Sequence, residues 1–158
     1  MDVLFADTAI IKPPRVPPLR ELGDIFMPLA RIAVPASLSP AKVSALADAV
    51  HFGLVTTCNV PYKDRFQLVS HYPSGSMILD PNFPNFRRTA EACVVEILFL
   101  EGRTTEQKSR LFQAIVASAV DAGFRSDDIM IALTENAPTD WSLGQGLAFE
   151  KEHLRELA

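Results

Sequence analysis

The 158-residue chain predicts an α/β fold in two layers, with tandem βαβ units forming a four-stranded, mainly parallel sheet and two helices on one face. Three observations predict it. Helix starts recur at an offset of about 65 residues, Ser39 answering to Thr104, and the acidic turns Asp64 and Asp128 recur at nearly the same offset. Each helical stretch lies between two short apolar runs, the order that gives parallel strands joined by a right-handed crossover. One run, Val94 to Leu100, is apolar almost throughout, as in strands buried on both faces.

The first 26 residues stand apart. KPPRVPPL carries Pro13, Pro14, Pro17 and Pro18 and favours an extended arm. That segment is expected to be poorly packed or untranslated; the alternative is an arm crossing a neighbouring subunit through Leu19, Leu22, Ile25 and Phe26. Residues 27–150 form the domain, with repeats at about 28–80 and 93–149, and 151–158 form a tail.

The first unit opens with a strand from Pro28 to Val34. Ser39 caps a helix whose first position is Pro40, where a missing N–H costs nothing. Val43, Leu46, Ala47, Val50 and Leu54 fall on one face at helical spacing. The turn Asn59 to Asp64 leads into a strand from Arg65 to Ser70. In the second unit Val94 to Leu100 is the first strand, and Thr104 with Gln107 makes a capping box. Leu111, Phe112, Ile115, Val116, Ala119 and Val120 form the stripe of its helix, Gly123 stops it, and Ile129 to Leu133 is the last strand. A two-layer domain leaves one sheet face bare, so oligomerisation through the sheets is expected.

Composition excludes several classes. A net charge of −4 offers no basic stripe for nucleic acid. No apolar run approaches the roughly 20 residues of a membrane helix. The amino-terminal stretch, with Asp2, Asp7 and its prolines, has no signal-peptide pattern. Two cysteines, Cys58 and Cys93, imply no disulfide framework and suit a reducing cytoplasm. His51, His71 and His153 lack metal-ligand spacing, and Gly144 and Gly146 form no phosphate loop, so neither metal nor cofactor is expected. His51 and Cys93 read as packing residues.

Met27 precedes Pro28 directly. In a chain that starts at Met27 and loses that methionine, Pro28 carries a basic secondary amine. In a chain that starts at Met1, the same nitrogen is a tertiary amide with no lone pair to offer.

The segment ILFLEGRTTEQKSRLFQAIV resembles the 4-oxalocrotonate tautomerase subunit at its strand-to-helix junction. With MPL-x-R-I at Met27, VP-x-x-DRFQ around Asp64 and DWS-x-G-x-G around Trp141, the stretch from Met27 to about Phe149 resembles the fused, two-unit branch of the tautomerase superfamily. That branch includes malonate semialdehyde decarboxylase and cis-3-chloroacrylic acid dehalogenase. The resemblance implies a homotrimer, a small carboxylate substrate, and an amino-terminal proline as the catalytic group. A proline amine among apolar walls and near cations has its pKa lowered, which poises it to move a proton beside a carbonyl.

The resemblance implies roles for five residues. Pro28 is the base, against the alternative of a strand-initiating proline. Arg103 holds the substrate carboxylate and stabilises a developing enolate, against an exposed turn arginine. Asp64 assists acid–base steps or orients water, against pairing with Arg65 or capping its turn. Trp141, in a Gly-rich hairpin, is an apolar wall or a seam tryptophan. Leu143 stands where the family often has Phe. Glu101 replaces the first of two arginines in the decarboxylase pattern, which weakens the case for decarboxylation; Arg31, Arg87 and Arg88 are the remaining candidates for a second cation. The reading is a cofactor-independent tautomerase of a small oxo or enol acid. The alternatives are decarboxylation or dehalogenation with Asp64 activating water, and a non-catalytic trimer blocked by its extension.

Overall fold

The computed structural model describes residues 27–149. The expectations for 1–26 and for the tail lie outside the described residues. Strand β1 (Leu29–Pro35), helix α1 (Pro40–Cys58) and strand β2 (Phe66–Tyr72) make the first unit. Strand β3 (Cys93–Leu100), helix α2 (Thr105–Asp121) and strand β4 (Ile129–Asn136) make the second.

The caps act as their chemistry requires. The Ser39 side chain accepts the Lys42 N–H at 3.3 Å, with Pro40 at the first helical position. Thr104 and Gln107 exchange both bonds of a capping box, at 3.0 and 3.1 Å. Asn59 ends α1 in the left-handed region, with φ 54°.

The sheet order is β2-β1-β3-β4. Within each unit the strands are parallel, Leu29 beside Phe66 and Cys93 beside Ile129. The units meet at the centre through an antiparallel pair, Leu29 opposite Leu98 and Ala33 opposite Val94. Two of three pairings are therefore parallel, as expected, and the mixed character comes from the joint between the repeats.

Alternation decides which face is covered. Ala30, Ile32 and Val34 of β1 and Cys93, Val95, Ile97 and Phe99 of β3 are buried against the helices. They meet Leu46, Val50 and Leu54 of α1 and Leu111, Ile115 and Ala119 of α2. Each large aliphatic side chain buried here contributes about 1.5–3 kcal/mol. Gly53 lets the two helices touch: a Cβ there would lie 2.7 Å from Ile115 Cγ1. Among the described residues the opposite face carries no second layer. It exposes Phe66, Leu68, Tyr72 and Met130, with Arg31 set opposite Glu96 at its middle. Among the described residues no helix is long and apolar enough to cross a membrane.

Two local expectations are corrected. The last strand runs on through Thr134, Glu135 and Asn136, because parallel pairing with Leu98, Phe99 and Leu100 holds polar residues that alone resemble a turn. The segment after Trp141 forms no hairpin strands among the described residues. It is a loop closed by the Phe149 N–H donating to the Trp141 carbonyl at 2.8 Å.

Candidate active site

A cavity of about 430 Å³ opens where β1 begins, at one end of the uncovered sheet face. Met27, Pro28 and Leu29 form one side, and the strand residues Phe66 and Leu98 form the floor. The loop after β4 closes the other side with Trp141, Ser142 and Leu143, and Asn136 and Asp140 complete the rim. The register explains the floor: Phe66, Leu29 and Leu98 lie side by side across three strands. Pro28, Trp141 and Leu143, separated by more than a hundred residues in the chain, thus share one cavity.

Asp64 lies directly behind Met27. Its Oδ2 accepts the Met27 N–H at 3.2 Å, and its Oδ1 is buried with no hydrogen-bond partner among the described residues. Burial raises the Asp64 pKa above the ordinary carboxylate value, while the Met27 N–H and nearby His51 pull against it. Arg65 does not pair with Asp64, contrary to one sequence alternative; its guanidinium donates to Asp48 at 2.8 Å and to Gln67 at 3.0 Å. His51 is buried and braces the same turn, its Nε2 2.9 Å from the Tyr62 carbonyl. Met27 itself is buried and sits at φ 42°, a rare conformation for a residue with a side chain.

Arg103 follows Gly102, whose φ of 121° is open to glycine and turns the chain out of β3. Its side chain does not line the cavity. The guanidinium lies 4.2 Å from the Phe99 ring centroid and donates through Nη1 to the Leu100 carbonyl. Burial lowers its pKa, opposed by the Cys58 thiol and by Glu135. Glu135 was not visible in the sequence as a site residue, yet it ties the junction together. It accepts the Arg103 backbone N–H at 3.1 Å and the Lys108 ammonium at 2.7 Å. Burial pushes its carboxyl up, but those two donors outweigh it and hold the pKa below the usual range.

Asn136 and Asp140 were missed as well. The Trp141 indole N–H donates to Asn136 Oδ1 at 2.8 Å, which fixes the ring as a wall. Asp140 Oδ2 accepts the Ala137 N–H at 2.9 Å and shapes the turn that carries Trp141. Asp140 opens the DWS motif, which could have drawn attention to it, whereas Asn136 carries no local signal. Arg31, Arg87 and Arg88 supply no second cation to the cavity wall. Arg88 donates to the carbonyls of Asp80 and Phe83 at 3.0 and 2.5 Å, and Arg31 faces Glu96. Among the described residues, no group of three or more His, Cys, Asp and Glu could hold a metal ion.

A family model for tautomerase enzymes matches residues 64–144. A probable tautomerase of Bacillus subtilis, YusQ, is 32% identical over 124 residues, which cover 77% of this chain and 97% of that protein. A malonate semialdehyde decarboxylase inhibited by 3-bromopropiolate is 37% identical with a TM-score of 0.71, covering 75% of this chain and 91% of that one. A second structure, of a malonate semialdehyde decarboxylase with decarboxylase and hydratase activities, is 30% identical with a TM-score of 0.70, covering 80% and 96%. A fused 4-OT, solved as a symmetric trimer, shares the fold at 21% identity and a TM-score of 0.63, covering 76% and 94%. On the family model and the full-length likeness to YusQ, the chain belongs to the tautomerase family.

Proposed function

We propose that the protein moves a proton within a small oxo or enol carboxylic acid without a cofactor, using Pro28 as an amino-terminal secondary amine. The observation that carries this reading is the shared cavity of Pro28 and Trp141, with a half-buried carboxylate, Asp64, one residue behind the proline. In the form that starts at Pro28, the amine takes the enol O–H proton and delivers a proton to the adjacent carbon. One O–H bond breaks, one C–H bond forms, and the product is an isomer. Trp141 and Leu143 keep water from the amine, which favours its neutral, basic form. Arg103 holds the substrate carboxylate at the far end, swinging from the Leu100 carbonyl to do so, and Asp64 steadies the protonated amine.

Family membership and the apolar wall support the tautomerase reading. The second reading is decarboxylation of a three-carbon acid with Asp64 activating water. It is favoured by the two decarboxylase structures at 37% and 30% identity, and weakened by Glu101 beside Arg103. A homotrimer fits both, because the bare sheet face exposes Phe66, Leu68 and Met130 and the fused 4-OT forms trimers. In the third reading, a binding protein, the cavity keeps Met27 in place and has no free amine.

The test compares two purified forms, one starting at Pro28 and one retaining residues 1–27. The first should ketonise phenylenolpyruvate and the second should not. Equal activity of both, with no trimming seen by intact mass, rules out Pro28 as the base. Release of carbon dioxide from malonate semialdehyde without tautomerase activity would favour the second reading.

A further inference from the structure

The cavity has three side chains able to donate a hydrogen bond, Asn136, Trp141 and Ser142, and two of them are committed. The Trp141 indole N–H is spent on Asn136 Oδ1 at 2.8 Å, and the Ser142 hydroxyl leans on the Gly144 carbonyl at 3.4 Å. An indole N–H can only donate, so it fixes which end of the Asn136 amide is oxygen. The Asn136 Nδ2 hydrogens therefore face away from Trp141, and no described residue accepts them. The remaining polar wall residue, Asp140, is an acceptor whose Oδ2 already takes the Ala137 N–H.

We infer that Asn136 is the substrate-oxygen donor of this cavity: its amide N–H, held in place by Trp141, donates to the keto or enol oxygen of a bound oxo acid. The inference takes from the reading above only that an oxo acid binds here. As the proton leaves the enol, negative charge grows on that oxygen, and a pre-aimed neutral donor in an apolar cavity stabilises it. Asn136 suits the task because its orientation is set by a bond to the wall residue itself. The cavity, about 430 Å³ and mostly apolar, selects an acid with an apolar body as the probe. Asp140 on the rim disfavours a second carboxylate.

The experiment uses the full chain, in which Trp141 is the single tryptophan, so one indole N–H signal in a ¹⁵N spectrum reports directly on the Asn136 bond. Phenylpyruvate and 3-phenylpropionate share ring and carboxylate and differ in the keto oxygen. The wild type should bind phenylpyruvate about tenfold more tightly. Asn136→Asp still accepts the indole N–H but has no hydrogens to donate at neutral pH, and its charge acts on both acids alike. It should erase the tenfold difference. Asn136→Gln, with its amide displaced by one methylene, should do the same and serves if the first variant does not fold. A preference that survives in a folded variant overturns the inference, as does a wild type with no preference or no binding. Turnover by the Pro28-start form is scored separately: no turnover with the preference intact removes Pro28 as base and leaves Asn136 assigned.

Discussion

In the second unit, Asp128 reaches back to the chain entering its own inner strand and takes both the N–H and the hydroxyl of Thr89, at 2.6 and 2.7 Å. In the first unit, Asp64 stands at the equivalent place and takes only the Met27 N–H, leaving one oxygen buried without a described partner. The contrast runs through both ends of the repeat. Where the first inner strand begins beside Pro28, the second begins at Cys93, whose thiol donates to the Glu91 carbonyl at 3.1 Å. Burial, with Asp128 and Glu91 nearby, pushes the Cys93 pKa up to about 12. Where the second unit carries Arg103 before its helix, the first carries Leu38, buried in the core. At the entry to the inner strand one copy is closed, with both oxygens of Asp128 accepting from Thr89, and the other opens onto a cavity whose far wall the second unit supplies. A duplicated fold can thus keep one strand entry for stability and leave its twin incompletely satisfied, which is where chemistry has room to act.

The largest test of that contrast is chemical. Acetylating the amine of the Pro28-start form should abolish turnover. Iodoacetamide applied to the native protein at pH 8 should leave Cys93 unmodified and activity unchanged. Rapid alkylation of Cys93 would mean that the second site is not closed.

Next comes Arg103. Arg103→Ala should reduce kcat/KM by about 30- to 1,000-fold, the 2–4 kcal/mol expected for a lost charge-assisted contact in the transition state. The unfolding midpoint should fall far less. An unchanged kcat/KM would assign the carboxylate to another group.

The two aspartates separate by stability. Asp128→Ala should cost about 2–3 kcal/mol in urea unfolding, since it removes the two hydrogen bonds that a buried carboxylate accepts from Thr89. Asp64→Asn should leave stability at pH 7 equal or raised, because Asn still accepts the Met27 N–H and removes a poorly solvated charge. The sign follows from the raised pKa. A folded-state carboxyl above its unfolded value adds stability at low pH and loses that contribution as pH rises through the folded value. Relative to Asp64→Asn, the wild type should therefore weaken with rising pH across that interval. A wild type that gains there would reverse the assignment.

The smallest expected effect lies between the helices. Gly53→Ala should cost about 1–2 kcal/mol through overlap with Ile115 and Leu111, whereas Ser118→Ala at the equivalent place on α2 should stay within about 0.5 kcal/mol. Equal changes at the two positions would mean that the helices share the contact evenly.

Most of this architecture is legible in the sequence because its signals are local. Ser39, Thr104 and Gln107 announce helix starts through short-range hydrogen bonds, and the apolar stripes announce buried faces. The antiparallel joint between Leu29 and Leu98 has no such signal, since it links segments that only the finished sheet brings together. The site divides in the same way. Pro28, Asp64 and Trp141 were marked by motifs, and the structure places Pro28 and Trp141 on one cavity with Asp64 adjoining it. Arg103 was marked too, but the turn of its guanidinium toward Leu100 and Phe99 depends on side-chain packing. Glu135 and Asn136 escaped notice because a polar strand end looks like a turn until its parallel partner is known.

The antiparallel joint has one more consequence, for what half of this chain would do alone. A fragment holding only β3, α2 and β4 would leave one side of VVEILFL with its backbone groups unpaired. An antiparallel pair relates its two strands by a two-fold axis, so the simplest repair is a second copy of the same fragment. Such halves would assemble in proportion to their concentration and risk stacking further. Joining the halves in one polypeptide makes that encounter intramolecular, and the central pairing then forms at any dilution.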